Sequence, residues 1–187
     1  MRDECFIRGS VPMTKGEVRA IALSKLQIKK DSVVYDVGAG TGSVAVEAAI
    51  QAENGHVYAF EKKLKACDLI RQNAALFGCQ NLSVMFGTAP DTIAGLPPAD
   101  CAFIGGSSGA VEAVLNKLLA VNPAMRIVLT AITLETLHQI ITYLKENNKE
   151  AEIISVQVSY AETAGCYHLM KAHNPVWLVT LTEGKPG

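Results

Sequence analysis

One stretch constrains the fold more than any other: "VVYDVGAGTGSVAVEAA", residues 33–49, an apolar β-branched run that passes through four small residues into a helical pattern. A strand, a glycine turn and a helix in that order open a βαβ unit. Ligands of open α/β sheets sit at such a turn, beyond the carboxyl ends of the strands. Gly38, Gly40 and Gly42 occupy the turn. Lacking Cβ, they allow positive φ and close approach, and the helix that follows offers unpaired N–H groups and a positive dipole end.

The remaining pattern agrees with that opening. Residues 13–26, "MTKGEVRAIALSKL", place Val18, Ile21, Ala22 and Leu26 on one helical face, with Thr14 expected as N-cap and Glu17 three residues on. Strands are expected at "SVVYDV", "GHVYAFE", "NLSVMF", "CAFIGG" and "RIVLTA", and helices at 43–51, 65–77 (ending at Gly78), 110–120 and, capped by Thr133, in "LETLHQIITYLKEN". Leu134, Leu137, Ile140, Ile141 and Leu144 form the stripe of that last helix. "AEIISVQVSY" then alternates as a strand, "AETAGCYHLMKAHN" reads as irregular, and "PVWLVTLTE" closes as a strand with Pro175 at its start. With no helix between them, the last two strands should pair antiparallel. The predicted fold is α/β, a doubly wound, seven-stranded, mostly parallel sheet with one reversed strand in a C-terminal antiparallel hairpin. A chain of 187 residues suits one domain, residues 1–187, with a leading helical segment 1–31, a core 32–147 and a terminal hairpin 148–187.

Glu61 ends the second strand about 20 residues past the turn, where a carboxylate can accept both hydroxyl protons of a ribose. An adenosine-bearing ligand is therefore expected. A dinucleotide fingerprint would need glycine at position 43, and Ser43 stands there, so the register is G-x-G-x-G and a nicotinamide oxidoreductase is disfavoured. That register, preceded by Asp36, resembles the S-adenosyl-L-methionine loop of class I methyltransferases, as does the terminal hairpin. The Asn/Asp-Pro-Pro-aromatic signature of amino-group methyltransferases is absent from strand four, which ends in "FIGGSSG"; "NPVW" lies on the last strand and reads as structural.

Composition narrows the partners. A formal charge of −1 cannot supply the many phosphate contacts of a nucleic-acid binder. No apolar run reaches the roughly 18 residues of a membrane span. The five cysteines are scattered with no C-x-x-C pair, which excludes a zinc site of that kind and suits the reducing cytoplasm. No metal is expected. The 49% hydrophobic content leaves apolar surface that a subunit interface could cover, so a homo-oligomer is expected.

Taken in order, "VPMTKGEVRA", "DVGAGTGSV", "GTAPD", "FIGGSSG", "TAITLET" and "NPVW" resemble the decarboxylating precorrin methyltransferases of cobalamin biosynthesis, over nearly the whole chain. The resemblance implies methylation at carbon-15 of a cobalt-precorrin-6B-like tetrapyrrole, with loss of carbon dioxide from the ring C acetate, to give a cobalt-precorrin-7-like product. It implies a homotetramer, and a functional partner methyltransferase acting on carbon-5. It also implies that Thr14, the loop of Gly38, Ala39, Gly40, Thr41 and Gly42, Glu61 and Ala89 contact S-adenosyl-L-methionine or its product S-adenosyl-L-homocysteine. Two departures are visible: Thr88 where relatives carry an acidic residue, and Ser108 where they carry glycine.

A polycarboxylated substrate calls for cationic and N–H donors. Lys15, Arg19, Gly106 and Ser107 are the expected substrate-anchoring and positioning residues, with Arg8, Lys171 and the run 105–109 beside them; Tyr167 and His168 could orient substrate, and Glu135 could support the pocket. His138 reads as structural. Two alternatives stay open: a class I methyltransferase for another small molecule, a protein or RNA, and a non-catalytic cofactor-binding subunit.

Overall fold

The computed structural model describes residues 1–106 and 109–181. Seven strands form one sheet in the order β3-β2-β1-β4-β5-β9-β6. β1 (Val33–Val37), β2 (His56–Glu61), β3 (Leu82–Phe86), β4 (Cys101–Ile104) and β5 (Arg126–Ala131) run parallel. β9 (Val176–Leu181) is antiparallel both to β5 and to β6 (Ala151–Val156). The reversed strand is thus the penultimate one of the sheet, as the pairing of the last two expected strands requires. Order reverses at β1, between β2 and β4, which makes the crevice above the ends of β1 and β4 the binding position of a doubly wound sheet.

Helices cover both faces. α1 (Gly16–Leu26), α2 (Ser43–Gln51) and α3 (Leu64–Leu76) bury Val18, Ala22, Leu26, Val44, Ala48 and Ile70 against Val34, Val57 and Phe103. On the opposite face α5 (Val111–Val121) and α6 (Leu134–Glu146), with the single turn α4 (Ala89–Thr92), pack Leu115, Leu118 and Ile140 against Tyr35, Phe60, Ile104 and Leu129. Central strands buried on both faces explain why they read as continuous apolar runs rather than alternating ones.

Three expectations are corrected. Thr14 does not cap α1: the N-cap position falls on Lys15 and no side chain caps it. Leu134 does not join the stripe of α6; it is 69% exposed, while Ile140, Tyr143 and Leu144 are buried. The segment read as irregular is a hairpin arm, β7 (Ser159–Ala164) paired antiparallel with β8 (Tyr167–Ala172), separate from the main sheet. All of its strand residues are exposed. By contrast Thr133 does cap α6, its hydroxyl accepting from the Thr136 N–H at 3.2 Å.

Candidate functional site: the glycine crevice

The turn after β1 is held by backbone alone at first. The N–H groups of Gly38 and Ala39 both donate to the Phe60 carbonyl, at 3.0 and 3.1 Å, and Gly42 N–H donates to Ala39 O at 2.8 Å. Gly38, Gly40 and Gly42 all have positive φ. The space around them is equally restrictive: a Cβ on Gly38 would press on the backbone of Gly106, one on Gly40 would lie 3.0 Å from the Pro12 carbonyl oxygen, and one on Gly42 would lie 2.9 Å from Ile70. Glycine is required here twice over, by torsion and by contact.

Glu61 closes the turn from β2. Its Oε2 accepts from Gly40 N–H at 3.0 Å and its Oε1 from Lys63 N–H at 2.9 Å. It is 8% exposed, at the edge of a crevice of about 560 Å³. Val11 and Pro12 wall one side, Gly87 to Pro90 another, and Gly105 and Gly106 a third. That volume lies within the roughly 300–1,000 Å³ of small-molecule sites. The crevice therefore gathers Gly38, Gly40, Glu61, Ala89 and Gly106.

Thr41 and Gly42 are buried, and Ala39 half-buried, in the same turn; none of the three lines the crevice. Ser107 and Ser108 lie outside the described residues. Thr88, at the position where relatives carry an acidic residue, lines the crevice and donates its hydroxyl to the exposed Asp91 carboxylate, which is not among the lining residues.

The expected cations lie elsewhere. Arg19 is fully buried. Its Nε donates to Glu47 at 2.6 Å, and Nη1 donates to Asp3 at 3.1 Å and to the Thr14 carbonyl at 2.6 Å. Its Nη2 donates to the Met1 carbonyl at 2.8 Å. The guanidinium also lies over the Phe6 ring, 4.9 Å from its centroid. Every terminal donor faces the protein, so Arg19 clamps the leading segment to α1 and α2 and corrects the expectation that it reaches substrate. Thr14 spends its carbonyl on the same clamp and is not among the crevice-lining residues.

Lys15 and Arg8 line a second cavity of about 830 Å³, between the leading segment, α1 and the base of the arm. Lys15 Nζ sits 3.7 Å from Asp3. Tyr160 and His173 roof this cavity, and the Glu17 carboxylate below is held under its ordinary range first by Tyr160, whose hydroxyl it pushes up to about 12. Lys171 pairs with Glu162 across the arm, and Tyr167 stands exposed at its tip. Glu135 is exposed in the first turn of α6 and His138 one turn on.

Two residues beneath the turn carry no prior role. Asn73, fully buried on α3, accepts from Ile7 N–H at 2.8 Å and donates to Ile7 O at 2.7 Å and Thr41 O at 2.8 Å, tying the leading segment to the glycine turn. Asp36 is 1% exposed, and neither of its carboxylate oxygens has a hydrogen-bond partner; the Thr41 hydroxyl is likewise alone. Burial above all pushes the Asp36 carboxyl up to about 7, and Glu61 adds to the shift. Among the described residues no cluster of acids, histidines and cysteines could hold a metal ion.

A glycine turn, a strand-end carboxylate and a crevice at the switch point are shared by many cofactor-dependent enzymes; sequence likeness decides among them. The precorrin methyltransferase domain model matches residues 4–183. The chain belongs to the precorrin methyltransferase family. Over 182 residues it is 40% identical to the cobalt-precorrin-6B C(15)-methyltransferase (decarboxylating) of Salmonella typhimurium, covering 96% of this chain and 94% of that protein. A precorrin-6y C5,15-methyltransferase from Geobacter metallireducens superposes with a TM-score of 0.91 at 33% identity, over 98% of this chain and 96% of the other. A precorrin 8W decarboxylase from Methanobacterium thermoautotrophicum superposes at 0.90 with 30% identity, over 97% and 98%. The precorrin methyltransferase fold is thus present across nearly the full length of both chains, and the protein is a methyltransferase.

Proposed function

We propose that this precorrin methyltransferase binds S-adenosyl-L-methionine in the glycine crevice and methylates carbon-15 of a cobalt-precorrin-6B-like tetrapyrrole, with loss of the ring C acetate carboxyl as carbon dioxide. The observation that carries the reading is the match, along nearly the whole of both chains, to a relative named for that reaction. The cofactor, when bound, supplies an electrophilic methyl group on a cationic sulfur.

The chain's own part is placement. Gly38 and Gly40 let backbone approach where any side chain would intrude, and Glu61, already fixed by two N–H groups, keeps lone pairs for a ribose. Ala89 and Gly106 close the crevice walls. An electron-rich ring carbon held in line with a sulfonium methyl gains up to about 7–11 kcal/mol from orientation and desolvation alone. Decarboxylation breaks the bond between the acetate methylene and its carboxyl carbon. The electron pair passes into the conjugated ring, and the methylene carbon then takes a proton.

Lys15 and Arg8, in the cavity beside the arm, are positioned to pair with peripheral carboxylates of a large anionic substrate. Ile132 and Leu134, 71% and 69% exposed just past the end of β5, offer an apolar surface to the macrocycle. The whole chain acts as one domain in this reading. The exposed arm supports assembly into a homotetramer, because an isolated two-stranded hairpin is marginal in water and this one exposes Tyr167, Leu169 and Met170 by 60 to 70%. The free cysteines support a reducing, cytoplasmic setting. Methylation at carbon-5 falls to a partner enzyme.

The test is incubation of the purified protein with a precorrin-6B-type tetrapyrrole and labelled S-adenosyl-L-methionine, followed by mass measurement. One methyl gained with one carbon dioxide lost supports the reading. A methylated product that keeps its carboxyl, or no reaction, overturns it.

A further inference from the structure

Two walls of the crevice are tied together by one buried side chain. The leading segment supplies Val11 and Pro12, and the turn after β1 supplies Gly38 and Gly40. The walls touch, since the Pro12 carbonyl oxygen lies 3.0 Å from where a Cβ on Gly40 would stand. Asn73, in α3 and fully buried, holds both. Its Oδ1 accepts from Ile7 N–H at 2.8 Å, while its Nδ2 donates to Ile7 O at 2.7 Å and to Thr41 O at 2.8 Å.

The span that follows Ile7 is anchored at its ends and loose between them. Phe6 is buried against Phe77, with ring centroids 4.9 Å apart, and at the far end Arg19 grips the Thr14 carbonyl. Among the described residues, the one backbone hydrogen bond made by residues 8–13 runs from Val11 N–H to Arg8 O, at 3.0 Å. Arg8, Gly9 and Ser10 are exposed, and Gly9 stands at φ 53° with open space around it. Such a span can open locally without disturbing the core. Lifting Ile7, however, strips the buried Asn73 amide of two of its three hydrogen bonds. A half-satisfied amide is a poor anchor for the Thr41 carbonyl, so the turn loosens with the span.

We infer that residues 8–13 form a strap over the crevice, and that Asn73 is a positioning residue that makes closing the strap and fixing the glycine turn one event. The inference rests on the reading that S-adenosyl-L-methionine binds in this crevice. A ligand filling it touches Val11 and Pro12 on one side and Gly38 and Gly40 on the other, and so favours the state in which Asn73 keeps all its bonds. Asn73 does not line the crevice; it acts through Ile7 and Thr41.

Trypsin reads the strap at Arg8, which is exposed and precedes Gly9. With S-adenosyl-L-homocysteine at about 100 times its Kd, cleavage after Arg8 in the unmodified protein, followed by mass spectrometry, should slow by up to roughly a hundredfold. In Asn73→Ala the Kd should rise roughly tenfold. With the ligand at about 100 times that new Kd, cleavage of the variant should slow by less than roughly threefold. A merely structural amide would speed cleavage with and without ligand alike and leave the protection ratio unchanged. Ile7→Pro is the second variant. It removes only the N–H that Asn73 accepts, replaces an exposed side chain, and follows a Phe6 already extended at φ −102° and ψ 142°, so the fold survives. It too should lose the protection. An undiminished ratio in either folded variant, or a ligand that binds the unmodified protein without protecting Arg8, overturns the coupling and leaves the cofactor reading intact. If calorimetry shows no binding of S-adenosyl-L-homocysteine to the unmodified protein, the cofactor reading falls and the strap with it.

Discussion

The Gly40 N–H donates to Oε2 of Glu61 at 3.0 Å, so the residue proposed to hold a ribose also fixes the glycine turn beside the crevice. The ends of β1 and β2 lie side by side in register, which brings this carboxylate against the turn.

Glu61→Ala should therefore lose more than a ribose contact. Each charge-assisted hydrogen bond is worth about 1.5–3 kcal/mol, and S-adenosyl-L-homocysteine affinity measured by calorimetry should fall at least roughly tenfold. An unchanged Kd would remove Glu61 from the site.

Gly40→Val places a β-branched side chain at a φ of 57°, facing the Pro12 carbonyl. The strain should cost about 2 kcal/mol, leaving a folded protein with lowered Tm. Cofactor affinity should drop out of the measurable range, and circular dichroism should remain native. Retained affinity would place the cofactor away from this turn.

Stability should report on Asp36. The unfolded chain releases this proton near 3.8, whereas the folded chain holds it to about 7. The folded state thus binds the extra proton between those values, and its stability declines as pH rises through that window, by up to about 4 kcal/mol. Asp36→Asn should flatten that decline, so urea unfolding should show the variant to be more stable at pH 8 than the parent, with little difference at pH 4. Parallel pH profiles would mean that Asp36 is ionised in the folded chain throughout.

Arg19→Met keeps the aliphatic stem and removes five donors. Glu47 and Asp3 then lose their shared cation, a loss expected to cost about 3 kcal/mol in urea unfolding. Because the clamp holds the leading segment, protease cleavage within residues 1–15 should accelerate. If substrate affinity alone changes and stability does not, Arg19 contacts substrate after all.

Leu169→Glu combined with Met170→Lys should reduce the particle mass measured by sedimentation without unfolding the main sheet, since neither side chain touches its core. An unchanged mass would show that assembly, if any, uses another surface.

How much of this was legible beforehand follows physical lines. The turn, Glu61 and the strands of the sheet could be read because their signals are local: glycines at fixed offsets and apolar runs of strand length. The cap at Thr133 was legible for the same reason, whereas at Thr14 the helix starts one residue later and the Thr14 carbonyl is drawn into the Arg19 clamp. Arg19 itself was misread because its partners Asp3 and Glu47 are remote in sequence, and a lone arginine on a helix is usually a surface charge. The arm escaped because both faces are exposed, which leaves no inward set of side chains to produce an alternating pattern. Asp36 was visible as part of the loop register, but nothing local announced that its oxygens would be left without partners.

The placement of β9 between β5 and β6 bears on how the chain is made. A ribosome releases β6 well before β9, yet β6 has no seat until β9 has docked on β5. The parallel half of the sheet can assemble during synthesis, while β6 and the arm wait for the final strand to emerge. Nascent chains stalled before Val176 should hold an unfilled sheet edge at β5, the state in which a chaperone is needed most.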